Sequence, residues 1–175
     1  MHAIDVGLLI LRLSVGLTFF GHGAQKVFGW WKGAGFETWT AGMARQGLRP
    51  PRFWAAVGAG IELICGPLLA LGLLTSVAAA FLVAQSAYIV ARAHWARGFW
   101  SRDGGIEFPL QMLAASLLFA ASGPGLISLD AALGIGFSRE LRVAFLVVAN
   151  AGAIVAYAIP RVLGPPPPEQ PPRAA

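Results

Sequence analysis

Six ionisable residues stand inside or at the ends of long apolar stretches: Arg12, His22, Lys26, Glu62, His94 and Glu107. An unpartnered charge in a membrane interior costs roughly 3 kcal/mol or more, so such groups pair with one another, bind a polar ligand or relay protons. At about 100° per residue, Arg12, Gly16, Phe19, Gly23 and Lys26 fall on one helical stripe with His22 beside it. The carboxyl groups of Glu62 and Glu107 suit proton exchange, and the imidazoles and the lysine suit hydrogen bonding to a ligand. Gln85, Tyr88 and Arg92 make a weaker polar stripe further on, and Glu107 with Gln111 makes another.

A rise of 1.5 Å per residue places these groups in depth. Arg12 lies roughly 21 Å from Lys26 along its helix, and Glu62 roughly 15 Å inside the start of its own. Two layers are expected: a deep pair of Arg12 with Glu62, and a shallower set of His22, Lys26, His94 and Glu107. Small residues around Glu62 (Ala55, Gly58, Ala59, Cys65, Gly66) favour close helix approach, and Pro67 interrupts the helix one turn later. Each group also has a purely structural reading. An Arg–Glu pair can serve packing alone, the histidines can cap helix ends, and Lys26 can snorkel to headgroups. Cys65 reads as a packing residue and Asn150 as a polar tie between helices.

The elements that must position these residues are membrane helices. Of the 175 residues, 57% are hydrophobic and 12% charged, a composition for an integral membrane protein rather than a soluble domain. About twenty apolar residues are needed per crossing, and the qualifying runs are 6–26, 52–73, 76–95, 105–122 and 141–160. The expected fold class is all-α, a polytopic membrane helical bundle with a four-helix core and a fifth, C-terminal transmembrane helix. Residues 1–134 form the core, 135–163 the extra helix, and 164–175 a proline-rich tail that can only be extended or disordered. The N-terminus lacks the basic start and A-x-A site of a cleavable signal peptide, so the first run is expected to stay.

Lys26, Lys32, Arg45, Arg49, Arg52, Arg92, Arg97, Arg102, Arg161 and Arg173 fall to one side of these runs, against Arg139 and Arg142 on the other. The imbalance predicts an outside N-terminus and a cytoplasmic C-terminus. It also explains the net charge of +5 as membrane orientation, with no nucleic-acid partner. A single cysteine excludes an internal disulfide and a cysteine-held cluster, and nothing in the pattern points to a metal. Phe36, Trp39 and Met43 recur at helical spacing within 35–47, which reads as a short helix lying on, or folded back into, the interface. Gly60-Ile61-Glu62 returns as Gly105-Ile106-Glu107, and His22 with Lys26 is echoed by His94 with Arg97. Two helix pairs of the same orientation would make a parallel repeat, although short matches arise easily in so biased a composition.

The ordered stretches LRLSVGLTFFGHGAQKVFGWW, GAGFETWTAGMARQGLRPP, GIELICGPLLALGLLTSVAA and GGIEFPLQMLAASLLFAASGPGLISLDAALG resemble the DoxX family of small bacterial membrane proteins over residues 6–134. The resemblance implies a four-helix bundle in the bacterial cytoplasmic (inner) membrane. In some relatives it is linked to electron transfer into the quinone pool, thiosulfate:quinone oxidoreductase subunits among them. On matching positions, Arg12, His22, Lys26, Glu62 and Glu107 are the family-type polar residues.

Three functions fit these residues. The first is a redox-linked subunit in the lipid bilayer, associated with quinone or with soluble or membrane oxidoreductase subunits. There His22 or Lys26 hydrogen-bonds a quinone carbonyl, and Glu62 or Glu107 exchanges its protons. No covalently held cofactor is implied, and haem between His22 and His94 is the disfavoured version. The second is a transporter or binder of a small solute or lipid. The third is a membrane scaffold that docks partners through 35–47 and the tail.

Overall fold

A computed structural model of the chain describes residues 3–164. Seven α-helices occur among them: α1 (Ala3–Phe28), α2 (Gly35–Arg45), α3 (Pro51–Leu71), α4 (Thr75–Ile89), α5 (Glu107–Ser122), α6 (Leu129–Ala132) and α7 (Arg139–Leu163). α4 runs on through a π-helical stretch, Val90–His94, and a 3-10 turn, Trp95–Arg97. α1, α3, extended α4 and α7 are long and apolar enough to cross a membrane. At 16 residues, α5 spans roughly 24 Å, short of the ~30 Å hydrocarbon core. The all-α membrane bundle expected from sequence is the fold observed, with helix ends within a few residues of the expected spans. The proline-rich tail beyond Gly164 lies outside the described residues.

The bundle is α1, α3, α4 and α5, with α7 packed along α4. The Asp5 end gathers the α3–α4 turn, the 124–130 loop and the start of α7; the Lys26 end gathers α2, the α4–α5 loop and Pro160. α4 touches three helices because its buried residues are small: Ala78, Ala79, Ala80 and Ala84 let neighbours approach from several sides. Val15, Phe19, Leu69, Leu82 and Phe119 fill the space between.

The α1–α3 contact is backbone against backbone. A Cβ added at Gly16 would lie 2.5 Å from the Gly66 carbonyl oxygen, and one at Gly66 would lie 2.7 Å from the Gly16 carbonyl oxygen. Gly23 meets the Leu63 nitrogen in the same way at 2.8 Å. Neither backbone can yield without parting the helices, so Gly16→Ala is expected to cost about 1–3 kcal/mol. Gly7→Ala, where an added Cβ meets nothing within 4 Å, is the silent comparison in thermal unfolding in detergent; equal melting of the two variants would refute close approach as the reason for Gly16.

α2 is folded back against α3 rather than lying apart from the bundle. Trp39 donates its indole N–H to the Ala55 carbonyl at 3.1 Å, and Met43 is buried with Leu48, Ala55 and Ala156 of α7. The two Gly-Ile-Glu stretches fall at different places in their helices: Glu62 is mid-helix and Glu107 is the first residue of α5. They are not structurally equivalent. Asn150 donates to the Leu146 carbonyl of its own helix at 2.9 Å, so it does not act as the expected tie between helices.

Candidate functional site

The deep Arg12–Glu62 pair expected from sequence does not form. Arg12, 1% exposed, spends its guanidinium on three carbonyls: Nε on Ala70 at 3.1 Å, Nη1 on Pro124 at 2.6 Å and Nη2 on Ile127 at 2.7 Å. The error lies in register. Level helix ends would bring Arg12 beside Glu62, whereas α3 begins beyond the end of α1, with α2 packed beside its first half. α3 is thereby displaced along α1, so that Gly23 faces Glu62–Leu63 and Arg12 reaches Ala70. Eight residues separate Glu62 from Ala70, roughly 12 Å along the helix.

Two buried carboxylates that sequence reasoning passed over complete the Asp5 end. Asp130 accepts from the Leu74 and Thr75 amides at 2.7 and 2.9 Å, capping α4 and holding Leu74 at φ 48°. Asp5 accepts from the Leu126 amide at 3.3 Å. Asp130 was findable as the one charge in the loop between Ser122 and Phe137. This end is a clasp between α1, the α3–α4 turn and the 124–130 loop.

At the Lys26 end, a cavity of about 780 Å³ opens inside the bundle, within the ~300–1,000 Å³ range of small-molecule sites. Lys26, Glu62 and Gln85 form its polar base. Lys26 Nζ pairs with Glu62 Oε1 at 2.5 Å and sits 4.4 Å from the centre of the Trp39 ring. Gln85 Nε2 donates to the same Oε1 at 3.4 Å and to the Gly58 carbonyl at 3.3 Å. Glu62 is 2% exposed, and its Oε2 has no hydrogen-bond partner among the described residues. The Ser86 hydroxyl, also in the lining, shares that condition.

The walls are mainly apolar, with Phe19, Ile61 and Met112 on one side and Ala149, Gly152 and Ala153 of α7 on another. α7 is therefore part of the site, which its place outside the resemblance concealed. His22 stands exposed at the edge with its ring 5.9 Å from that of Phe108. The π-helical stretch re-aims the end of α4 so that Ala93 and His94 join the lining. His94 Nδ1 lies 2.6 Å from the Gly104 carbonyl oxygen. Tyr88 donates to Gln46 Oε1 at 3.3 Å, and Arg92 to the Gln46 carbonyl at 2.6 Å, closing the cavity against the end of α2.

Of the sequence candidates, the fold brings His22, Lys26, Glu62, His94, Gln85 and Tyr88 to one cavity. Arg12, Glu107 and Gln111 are not in its lining. Glu107 Oε2 accepts from the Ser101 amide at 2.9 Å and secures the loop before α5. No group of three or more His, Cys, Asp or Glu that could hold a metal ion occurs among the described residues.

Fold and cavity together define a small polytopic membrane helical bundle with an open-mouthed, mainly apolar cavity on a charged, buried base. The chain belongs to the DoxX family, whose model matches residues 7–95. It is also 33% identical over 134 residues to an uncharacterized membrane protein of Mycobacterium tuberculosis, covering 70% of this chain and 78% of that protein. No solved structure matches the chain.

Proposed function

We propose that this protein is a redox-linked membrane subunit whose cavity takes the head group of a quinone and presents it to oxidoreductase partners. The observation that carries the reading is Glu62: a carboxylate buried at the end of an apolar cavity, tied by one oxygen to Lys26 and unpartnered at the other. An apolar ring bearing polar oxygens fits such walls and such a base. Quinone supplies two-electron, two-proton chemistry when bound. In that arrangement Lys26 orients Glu62 through Oε1, and the free Oε2 accepts a proton from the bound ligand between mainly apolar walls. The basic residues at the Lys26 end favour the cytoplasmic face of a bacterial inner membrane for the cavity mouth, with the N-terminus outside. Electron-carrying cofactors belong, in this reading, to the partners.

Purification in mild detergent followed by solvent extraction is expected to recover quinone with the wild-type protein. Glu62→Gln should lower that recovery at least fivefold, while Glu107→Gln, outside the lining, leaves it unchanged. A wild-type preparation from a quinone-replete membrane that carries none, and binds none when it is added back, would refute the reading.

A further inference from the structure

The hydrogen-bonding groups of the cavity are unevenly committed, and the imbalance bears on the redox state of its ligand. The donors are partly committed. Gln85 Nε2 serves both Glu62 Oε1 and the Gly58 carbonyl, and the Lys26 ammonium lies between Glu62 and the face of Trp39. The acceptors are not. Glu62 Oε2 has no partner among the described residues. A carbonyl oxygen only accepts, so His94 Nδ1 must carry the proton shared with Gly104; in the neutral ring this leaves Nε2 as a bare acceptor. The Ser86 hydroxyl, without a partner among the described residues, can donate or accept and so favours neither form.

A buried acceptor left unmatched is costly, and a ligand that supplies the missing donor gains more than one that supplies another acceptor. An oxidised quinone offers two carbonyl oxygens and no donor; its reduced form offers two hydroxyl donors. Resting on the quinone reading above, we infer that the cavity binds the reduced, dihydroxy form in preference to the oxidised one, with Glu62 and His94 as the hydroxyl acceptors. No electron transfer is required of this chain: the preference is one of binding, and it would hold the quinol within the bundle.

The test uses the full chain in nanodiscs under anaerobic conditions, with a short-chain benzoquinone and its chemically reduced quinol as probes, read by quenching of the tryptophans, of which Trp39 and Trp54 line the cavity. The quinol is expected to bind about tenfold more tightly. For the wild-type protein alone, the same preference appears as a rise of about 30 mV in the two-electron potential of the bound pair. His94→Phe should bring the ratio below about threefold. Equal or tighter binding of the oxidised form, or an unshifted or lowered potential, would overturn the inference and leave the quinone reading standing. Binding of neither form would remove both.

Discussion

Arg12→Leu will deprive the protein of a stable fold. The guanidinium is fully buried and answers three carbonyls from two separate parts of the chain, Ala70 in α3 and Pro124 and Ile127 in the loop after α5. Removing it leaves those oxygens without donors and takes away a positive charge that attracts buried Asp130. Breaking a buried charged network of this kind costs about 3–5 kcal/mol, a large share of the stability of a small protein. Arg12→Lys should recover less than half of the loss. One ammonium on a flexible stem cannot match a planar fork whose Nε, Nη1 and Nη2 each meet a different carbonyl. Gly72 guards the same clasp, because an added Cβ would lie 2.7 Å from Arg12 Cζ. Thermal unfolding in detergent measures the effect; an Arg12→Leu protein that melts within a few degrees of wild type would show that the clasp does not hold the helices together.

The second large effect is an asymmetry within the Lys26–Glu62 pair. Lys26→Met strands a carboxylate that is 2% exposed, whereas Glu62→Gln leaves a lysine whose side chain is 16% exposed and rests on Trp39. The stranded carboxylate is the costlier remnant, so Lys26→Met is expected to destabilise by about 3–5 kcal/mol. Glu62→Gln should cost less than half as much, with the amide still able to hydrogen-bond. The double variant should be more stable than Lys26→Met alone, because the second substitution removes the charge that the first exposed. Denaturant unfolding of the four proteins gives the cycle, and simple additivity would mean that the ion pair contributes nothing to the fold. Ligand binding should fail in both single variants, since each changes the base of the cavity.

Much of the bundle was legible along the chain. Apolar runs of bilayer length are a local property, and they set five helices within a few residues of where they stand. The ionisable residues of the site were legible for the same reason: charge inside an apolar run is conspicuous whatever the fold. His22, Lys26, Glu62 and His94 were therefore visible as candidates before any contact was known.

Register between helices was not legible, and it decided the pairings. Counting residues from each helix end assumes that the ends are level, an assumption that fails when a folded-back segment such as α2 lets α3 start beyond α1. Glycine packing then sets the offset: Gly16 must face Gly66, and Gly23 must face Leu63, wherever the helix ends fall. That offset gave Glu62 to Lys26 and gave Arg12 to the carbonyls of a loop more than a hundred residues away. Local pattern is enough to establish a helical membrane protein with charges to satisfy inside it. Which charge meets which, and the part α7 takes in walling the cavity, emerge from packing, because both depend on close approach between distant segments.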